Sequence, residues 1–326
     1  MGETVLDIEN LHVEFPVFSG SIHAVNGVSL RIAKGEIVGI VGESGSAKSV
    51  TAMTALRLLP KGAYRMPQGS IRLLGHDVAA LGDRELDRLR GRDVAMIFQE
   101  PQTALNPTKK IGAQMTALLR LHTDLSGRQI RERALSLLRD MRINDAEAIL
   151  ERYPFELSGG MRQRILIAMA FACSPKLLIA DEPTTALDVT VQRQVLQLMQ
   201  AKARDTGAAV LFISHDLAVV SQFCDRIYVM YAGHLVETGP TKEVLRAPAH
   251  PYTQALIRAL PESVAVGETL ASIPGTVPSL INPIAGCCFK DRCEKRFGAC
   301  EQKPALRPTD DPGRSVACWL TEEARP

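Results

Sequence analysis

Residues 42–49 read Gly-Glu-Ser-Gly-Ser-Ala-Lys-Ser, a combination of small residues and one lysine that suits phosphate groups. A glycine-rich turn can point backbone N–H groups at phosphate oxygens, and a lysine and a helix N-terminus add positive charge. By the pattern Gly-x4-Gly-Lys-Ser, we expect Lys48 to reach the β- and γ-phosphates of a nucleotide and Ser49 to offer its hydroxyl to Mg²⁺. The residues expected to contact the nucleotide here are Gly42, Ser44, Gly45, Ser46, Ala47, Lys48, Ser49 and Val50.

Ala47 departs from this pattern, because it stands where the second glycine is expected. Its methyl group could crowd a phosphate or strain the loop, since alanine lacks the conformational freedom of glycine. Both a loss of nucleotide binding and simple accommodation are compatible with this substitution. We expect the loop still to bind ATP, because the other expected elements are present.

Two carboxylates, Asp181 and Glu182, follow the apolar run from Leu177 to Ala180. An acid at the end of a strand is a suitable ligand for Mg²⁺, and we expect Asp181 to hold the ion through water. The alternative is a strand end capped by two solvated acids. The magnesium site is favoured because a phosphate loop accompanies these acids in the chain.

The hydrophobic pattern predicts the elements that would position these residues. Residues 4–15 and 22–32 alternate as half-buried strands do, and Ile37–Val41 reads as a buried strand before the loop, with a helix from Lys48. Residues 176–180 and 209–214 read as parallel strands, and residues 227–231 and 234–238 as a hairpin. Between about 100 and 170 the pattern is helical, with one apolar face formed by Ile130, Ala134, Leu135, Leu138 and Met141.

The segment Leu157-Ser158-Gly159-Gly160 lies twenty residues before Leu177 and reads as a helix start that could approach an anion closely. Together with the phosphate loop and the Asp-Glu strand end, it resembles the ATP-binding-cassette family. The resemblance implies an α/β phosphate-loop cassette ATPase with a mixed sheet core and a helical subdomain. It also implies that cassettes work in pairs, with Ser158, Gly159 and Gly160 of one subunit closing the nucleotide site of its partner.

The same resemblance implies roles for individual residues. Glu182 would act as the general base that polarises the attacking water, and His215 would be a switch that contacts the γ-phosphate and orients the glutamate. Gln99 matches a glutamine that senses Mg²⁺ and the γ-phosphate, so the expected Mg²⁺ contacts are Ser49, Gln99 and Asp181. His215 could instead be a structural histidine, and Asp188, which resembles a dimer-contact residue, could be a helix N-cap. For the adenine, Phe18 or His23 could supply the stacking surface.

Three further segments resemble the oligopeptide/dipeptide/nickel importer subfamily: Phe98–Pro107, His250–Leu256, and the tail from Pro274 to Cys318. Membership implies a second ATPase subunit, often non-identical, two membrane permease subunits and an extracytoplasmic solute-binding protein. The expected function is ATP hydrolysis that drives peptide uptake through the permeases. Two alternatives stay open: a weakly hydrolysing regulatory cassette in a heterodimeric importer, suggested by Ala47, and an importer for a non-peptide solute such as nickel.

Composition limits the other classes of function. The chain has 326 residues, 46% of them hydrophobic, and a net charge of +2 at pH 7, with no basic stripe for nucleic acid. No apolar run is long enough for a membrane span and the N-terminus does not read as a signal peptide, so we expect a peripheral protein on the cytoplasmic face of the inner membrane. A soluble cassette protein acting on nucleic acid or ribosomes is disfavoured, because such proteins usually fuse two cassettes. An iron–sulfur redox protein is disfavoured, because the chain carries the phosphate loop, the Asp-Glu strand end and the Ser-Gly-Gly helix start of an ATPase.

The tail is rich in cysteine and proline, which predicts three parts: a cassette over residues 1–245, a linker over 246–270 and a Cys-rich C-terminal module over 271–326. Cys287, Cys293, Cys300 and Cys318 have five, six and seventeen residues between them. In a reducing compartment, four such thiols favour a metal centre over disulfides. The subfamily resemblance favours a 4Fe–4S cluster, with Zn²⁺ as the alternative and Cys288 as a possible replacement for Cys287.

Overall fold

The computed structural model describes residues 2–99, 104–184, 187–260 and 272–323. The strands, in chain order, are β1 (Thr4–Val17), β2 (Gly20–Ala33), β3 (Ile37–Val41), β4 (Ser70–Leu73), β5 (His76–Asp77), β6 (Val94–Ile97), β7 (Leu177–Asp181), β8 (Ala209–Ser214), β9 (Arg226–Tyr231), β10 (His234–Pro240), β11 (Arg307–Pro308) and β12 (Ser315–Val316). The helices are α1 (Lys48–Ala55), α2 (Asp83–Leu89), α3 (Ile111–His122), α4 (Gly127–Asp140), α5 (Ala146–Leu150), α6 (Gly159–Ala170), α7 (Val189–Thr206), α8 (Leu217–Phe223), α9 (Thr241–Arg246), α10 (Pro251–Arg258) and α11 (Leu320–Glu323).

These elements belong to two compact units. The first unit comprises Met1–Val5, Ile32–Glu36 and Ala80–Ile213, and the second comprises Leu6–Arg31, Ile37–Ala79 and Ser214–Pro326.

In the first unit, β6, β7 and β8 are parallel, and the predicted acids Asp181 and Glu182 lie at the end of β7, the middle strand. β7 pairs with β6 in the register Val94↔Leu177 and with β8 in the register Leu177↔Ala209. Every residue of β7 and β8 is buried, which explains why both strands read as continuous apolar runs. The order of the register places Asp181 opposite Ile213, at the carboxyl end of the parallel strands.

The predicted helical insert is confirmed, also in the first unit. α4 begins at the N-cap Ser126, whose hydroxyl accepts a hydrogen bond from the Gln129 N–H, while the Gln129 side chain returns to the Ser126 N–H. Its predicted apolar face is buried, whereas Arg131 and Arg139 are exposed. The spacing of three and four residues thus gave the correct buried face.

In the second unit, β3 and β9 are parallel, and β9 forms an antiparallel hairpin with β10 around Ala232-Gly233, as predicted. A separate antiparallel sheet has the order β2-β1-β4-β5. The strands predicted over residues 4–15 and 22–32 are confirmed as β1 and β2. The helix predicted from Lys48 is confirmed as α1.

The C-terminal segment, residues 272–323, belongs to the second unit, and a separate Cys-rich module is not confirmed. Its strand β12 pairs with β10, and β11 pairs with β12. Phe289 places its ring 5.2 Å from that of Tyr231 and 5.3 Å from that of Tyr252. Buried aromatic contacts and added strands therefore hold the segment. Part of the predicted linker is helical as α10, and residues 261–270 of it lie outside the described residues.

Candidate nucleotide-binding and catalytic residues

The phosphate loop follows β3, whose five residues are all buried, and leads into α1 at Lys48. Gly42 has φ +152°, and a side chain there would collide with the backbone carbonyl of Met230. Gly42 thus permits a close approach between two backbone segments that no larger residue would allow. The strand–loop–helix context expected from the sequence is present.

Ala47 adopts φ 68° and ψ 24°, the left-handed conformation, at the N-cap of α1. An L-residue with a Cβ atom is disfavoured there by about 1–2 kcal/mol, whereas glycine is not. This conformation favours the strain that the sequence suggested for Ala47. Glycine adopts these backbone angles readily, and the effect of Ala47 on nucleotide binding stays a prediction.

Lys48 and Ser46 provide polar groups inside the loop. The Lys48 side chain is buried, and its Nζ donates to the carbonyls of Gly42 at 2.9 Å and Glu43 at 3.1 Å. The hydroxyl of Ser46 is fully buried and has no hydrogen-bond partner among the residues that the structure describes. A buried hydroxyl of this kind is stabilised when a ligand atom accepts from it or donates to it. Both groups fit a bound polyanion such as a nucleotide phosphate.

In the first unit, Asp181 and Glu182 end β7, as predicted. Asp181 is only 4% exposed, and Glu182 turns the chain with φ 45° while its N–H donates to the Ile213 carbonyl at 2.9 Å. The Gln99 Nε2 donates to the Glu182 Oε2 at 3.1 Å. The structure therefore brings together Gln99 and Glu182, two of the three residues expected to be catalytic.

Ser158, Gly159 and Gly160 open α6, as predicted. The Ser158 hydroxyl accepts from the Met161 N–H at 3.3 Å, which makes Ser158 the N-cap. A Cβ atom on Gly160 would lie 2.8 Å from Val191 Cγ1, so the glycine lets α7 pack closely. Ser158 is exposed, and its helix N-terminus is accessible to a second molecule.

His215 follows β8 and is exposed, in the second unit. Asp188 is the N-cap of α7, since its Oδ1 accepts from the Val191 N–H at 3.0 Å, which confirms the N-cap interpretation. Two residues were candidates for stacking against the adenine. The Phe18 side chain is fully exposed, and the Nδ1 atom of His23 lies 3.1 Å from the Oε1 atom of Glu14. The roles of His215 and of these two residues stay predictions.

The four tail cysteines lie in one region of the C-terminal segment. Burial, together with Cys287, Cys293 and Cys300, raises the pKa of Cys318 to about 11. The adjacent thiols of Cys287 and Cys288 form a hydrogen-bonded pair that lowers the pKa of Cys287 and raises that of Cys288. Among the residues that the structure describes, no group of three or more His, Cys, Asp or Glu side chains is arranged to hold a metal ion. The geometry therefore gives no support to the expected 4Fe–4S cluster.

Two residues that contact the phosphate loop were missed by the sequence analysis. The Glu43 N–H donates to the hydroxyl of Tyr252 at 2.8 Å, and the Arg292 guanidinium lies 2.7 Å from the Glu43 carboxylate. These partners are 209 and 249 residues from Glu43 along the chain. No local pattern could have revealed such distant contacts.

Comparison with known proteins identifies the family. The family model described as ABC transporter matches residues 25–185, and the one described as oligopeptide/dipeptide transporter, C-terminal region, matches residues 236–300. The solved dimeric cassette MJ0796, bound to ADP and phosphate, is similar with a TM-score of 0.64 and 28% identity, covering 72% of this chain and 98% of that one.

Two curated relatives match nearly end to end. The "Probable D,D-dipeptide transport ATP-binding protein DdpD" of Escherichia coli (strain K12) is 55% identical, covering 99% of this chain and 98% of the relative. The "Dipeptide transport ATP-binding protein DppD" of Bacillus subtilis (strain 168) is 44% identical, covering 98% and 96%. The chain therefore belongs to the ATP-binding-cassette family, as an ATPase of its oligopeptide/dipeptide transporter group.

Proposed function

We propose that this chain is the ATP-hydrolysing subunit of an importer that takes up peptides. The observation that carries the proposal is the end-to-end similarity to dipeptide transport ATP-binding proteins, which extends through the transporter-specific C-terminal region. The buried Lys48 and Ser46 of the phosphate loop and the Gln99–Glu182 hydrogen bond support hydrolysis as the activity.

Each site residue then has a role in phosphoryl transfer to water. The backbone of residues 42–50 and the Lys48 ammonium bind the phosphates, and Ser158-Gly159-Gly160 of a second subunit covers the γ-phosphate. Ser49, Gln99 and Asp181 would hold Mg²⁺, which neutralises charge developing on the phosphate oxygens. Glu182 accepts the proton of the attacking water, with Gln99 orienting the carboxylate and His215 contacting the γ-phosphate.

The partners follow from this assignment. Along the described residues, no helix is both long and apolar enough to cross a lipid bilayer. We place the chain at the cytoplasmic face of the inner membrane, with two permease subunits, an extracytoplasmic solute-binding protein and a second, non-identical cassette. The cassette would comprise residues 1–245 and the helical subdomain residues 100–170, whereas residues 100–103 after Gln99 lie outside the described residues.

The C-terminal cysteines remain a proposed iron–sulfur site. The proposal rests on the four thiols that lie within one segment, Cys287, Cys293, Cys300 and Cys318, which would be the ligands of a 4Fe–4S cluster. Anaerobic purification should give a protein that absorbs at about 400 nm and contains iron and sulfide. A colourless preparation that contains only Zn²⁺ would replace the cluster with the zinc alternative.

The proposed function is tested in the assembled complex, reconstituted in vesicles with its permeases and binding protein. Uptake of a radiolabelled dipeptide should require ATP and stop with Glu182→Gln, which removes the general base but keeps the side-chain size. Glu147→Gln, a change of the same type at a surface glutamate of α5, is the control and should transport normally. Uptake of nickel but not of peptide would assign the importer to the alternative solute, and unchanged turnover in Glu182→Gln would indicate the regulatory alternative.

A further inference from the structure

Glu43 places a carboxylate in the loop that must receive a triphosphate. Its own backbone carbonyl accepts a hydrogen bond from Lys48 Nζ at 3.1 Å, so it belongs to the phosphate-binding loop. Its side chain is 28% exposed. An ionised carboxylate in this position repels the phosphates of a nucleotide unless another charge offsets it.

Arg292 of the C-terminal segment supplies that charge. Its Nη1 donates to Glu43 Oε2 at 2.7 Å and its Nη2 to Glu43 Oε1 at 3.2 Å, a bidentate pair. The Arg292 side chain is only 5% exposed. A guanidinium stays protonated at the pH values at which proteins are folded, so Arg292 carries a positive charge.

The guanidinium is held in place by other groups of the second unit. Its Nε donates to the Pro274 carbonyl at 2.8 Å, Nη2 to the Ile273 carbonyl at 3.1 Å, and Nη1 to the Tyr231 hydroxyl at 3.3 Å. These contacts fix the orientation of the guanidinium, so that two of its N–H groups point at the Glu43 carboxylate. The fixed orientation distinguishes this pair from a mobile surface ion pair.

Tyr252 makes a second contact with Glu43, through the backbone of that residue. The Tyr252 hydroxyl accepts from the Glu43 N–H at 2.8 Å, and the Tyr252 ring lies 4.6 Å from that of Tyr231 and 5.3 Å from that of Phe289. Tyr252 is fully buried. Both the backbone and the side chain of Glu43 are therefore held by residues distant in sequence, and the C-terminal segment contributes Arg292 directly and Phe289 through its packing on Tyr252.

We propose that Arg292 is a positioning residue for ATP binding, which acts through Glu43 by cancelling its negative charge in the phosphate loop. The C-terminal segment thereby sets the charge of the loop and the affinity of the site for ATP. This inference rests on the proposed function, because it requires the loop to bind ATP. A merely structural role, in which the ion pair only fastens the segment, makes different predictions.

Two substitutions at Glu43 separate charge from structure without changing the C-terminal segment. Glu43→Asp keeps the charge but withdraws the carboxylate from Arg292, and should weaken binding of a fluorescent ATP analogue to the full-length protein about tenfold. Glu43→Gln removes the charge and should bind the analogue at least as tightly as the wild type. The loss in Glu43→Asp should shrink as salt is raised, because screening weakens the repulsion.

Arg292→Met and the double variant Glu43→Gln/Arg292→Met complete the test. Arg292→Met should weaken ATP binding about tenfold, and adding Glu43→Gln should restore it to within about twofold of the wild type. The control is Arg296→Met, which removes an arginine that pairs with Asp291 and Glu301 in the same segment, and it should bind normally.

Three results would overturn the proposal. They are equal affinity of wild type and Glu43→Asp, equal weakening by Glu43→Asp and Glu43→Gln, and a double variant as weak as Arg292→Met alone. If Arg292→Met does not fold, the two Glu43 variants decide the question by themselves. A wild-type protein that binds no ATP at all would instead refute the proposed function, and this inference with it.

Discussion

The side chain of Gln99, just after β6, donates a hydrogen bond to the carboxylate of Glu182, just after β7, over 3.1 Å. Since β6 and β7 are parallel neighbours, their carboxyl ends lie side by side and bring the two residues together. Glu182 also has a left-handed backbone, with φ 45°, which glycine or asparagine would adopt more readily. A strained backbone and a carboxylate with a fixed orientation are both typical of residues in active sites.

Gln99→Leu should therefore lower kcat for ATP hydrolysis in the assembled complex about tenfold, because the carboxylate loses the group that orients it. The KM for ATP should change less, since the phosphate loop is intact. Steady-state kinetics check both parameters. Gln129→Leu, which removes the capping-box side chain of α4, is the matched control and should leave kcat unchanged. Equal kcat values for Gln99→Leu and wild type would contradict an orienting role.

Ala47→Gly should stabilise the protein by about 0.5–1 kcal/mol, because glycine accepts the left-handed conformation that alanine adopts with strain. Chemical denaturation measures the change in the free energy of unfolding. Ala52→Gly, the same substitution within α1 at a buried position with ordinary helical geometry, should destabilise by about 1 kcal/mol. If both variants lose stability, the conformation of Ala47 is not a source of strain.

Ser158→Ala should reduce ATP turnover severalfold while costing about 1 kcal/mol of stability through the lost N-cap. The kinetic loss is expected because the exposed helix start, with its serine, is the group proposed to cover the nucleotide of a partner subunit. Ser126→Ala removes an equivalent N-cap from α4 and should cost similar stability with normal turnover. Equal turnover in the two variants would argue that Ser158 only caps its helix.

Local patterns predicted the parts of the site whose positions depend on neighbouring residues. The buried run Ile37–Val41, the small residues after it and the helix at Lys48 identified the phosphate loop, because strand, loop and helix are contiguous. The same holds for the apolar face of α4. The Gln99–Glu182 hydrogen bond could not be predicted in the same way, since it depends on the pairing of β6 with β7, two strands far apart in the chain.

Contacts across long stretches of chain could not be predicted. Glu43 reads as a polar residue in a loop, and only the folded chain shows that Arg292 pairs with it. Similarly, Cys287 and Cys318 could be recognised as members of one cluster from their density in the tail, whereas the distances between thiols depend on the whole path of the segment. The number of residues between two cysteines in a loop determines neither where their thiols point nor how close they lie.

His234 should make the protein sensitive to mild acid. Burial, with a contribution from the nearby Lys303 ammonium, lowers the pKa of His234 from its ordinary value of 6.5 to about 4. The unfolded chain binds a proton at His234 more readily than the folded protein does. The contribution of neutral His234 to the free energy of unfolding is therefore fully present above pH 6.5, and it is lost as the pH falls toward the pKa of about 4 in the folded protein. The loss is about 2 kcal/mol by pH 5 and about 3 kcal/mol by pH 4.

His234→Gln should flatten this part of the pH profile, because glutamine does not titrate. The measurement is the free energy of unfolding of both proteins at pH 7, 6 and 5, and the difference between their slopes is the readout. His76→Gln, at an exposed histidine of β5, is the control and should follow the wild type. Parallel profiles for His234→Gln and wild type would show that His234 does not titrate in this range.

Glu237 and Arg314 form a buried ion pair that should hold the C-terminal segment to the hairpin of β9 and β10. The two charged groups are 2.8 Å apart, and their side chains are 0% and 5% exposed. The Glu237 carboxylate also accepts from the backbone N–H groups of Ala249 and His250, at 2.9 and 3.0 Å. Removing either charge breaks this buried, charge-assisted hydrogen bond, although Glu237 keeps the two backbone N–H groups and Arg314 keeps Asp311, 3.1 Å away. Such a loss costs about 1.5–3 kcal/mol.

Glu237→Gln and Arg314→Met should each destabilise the protein by about that amount, as measured by thermal or chemical unfolding. The double variant should cost less than the sum of the two, because both substitutions remove the same hydrogen bond between Glu237 and Arg314. The control is Arg296→Met, which breaks a pair on an arginine side chain that is 45% exposed and should cost less than about 1 kcal/mol. Additive losses in the double variant would show that the two charges do not interact.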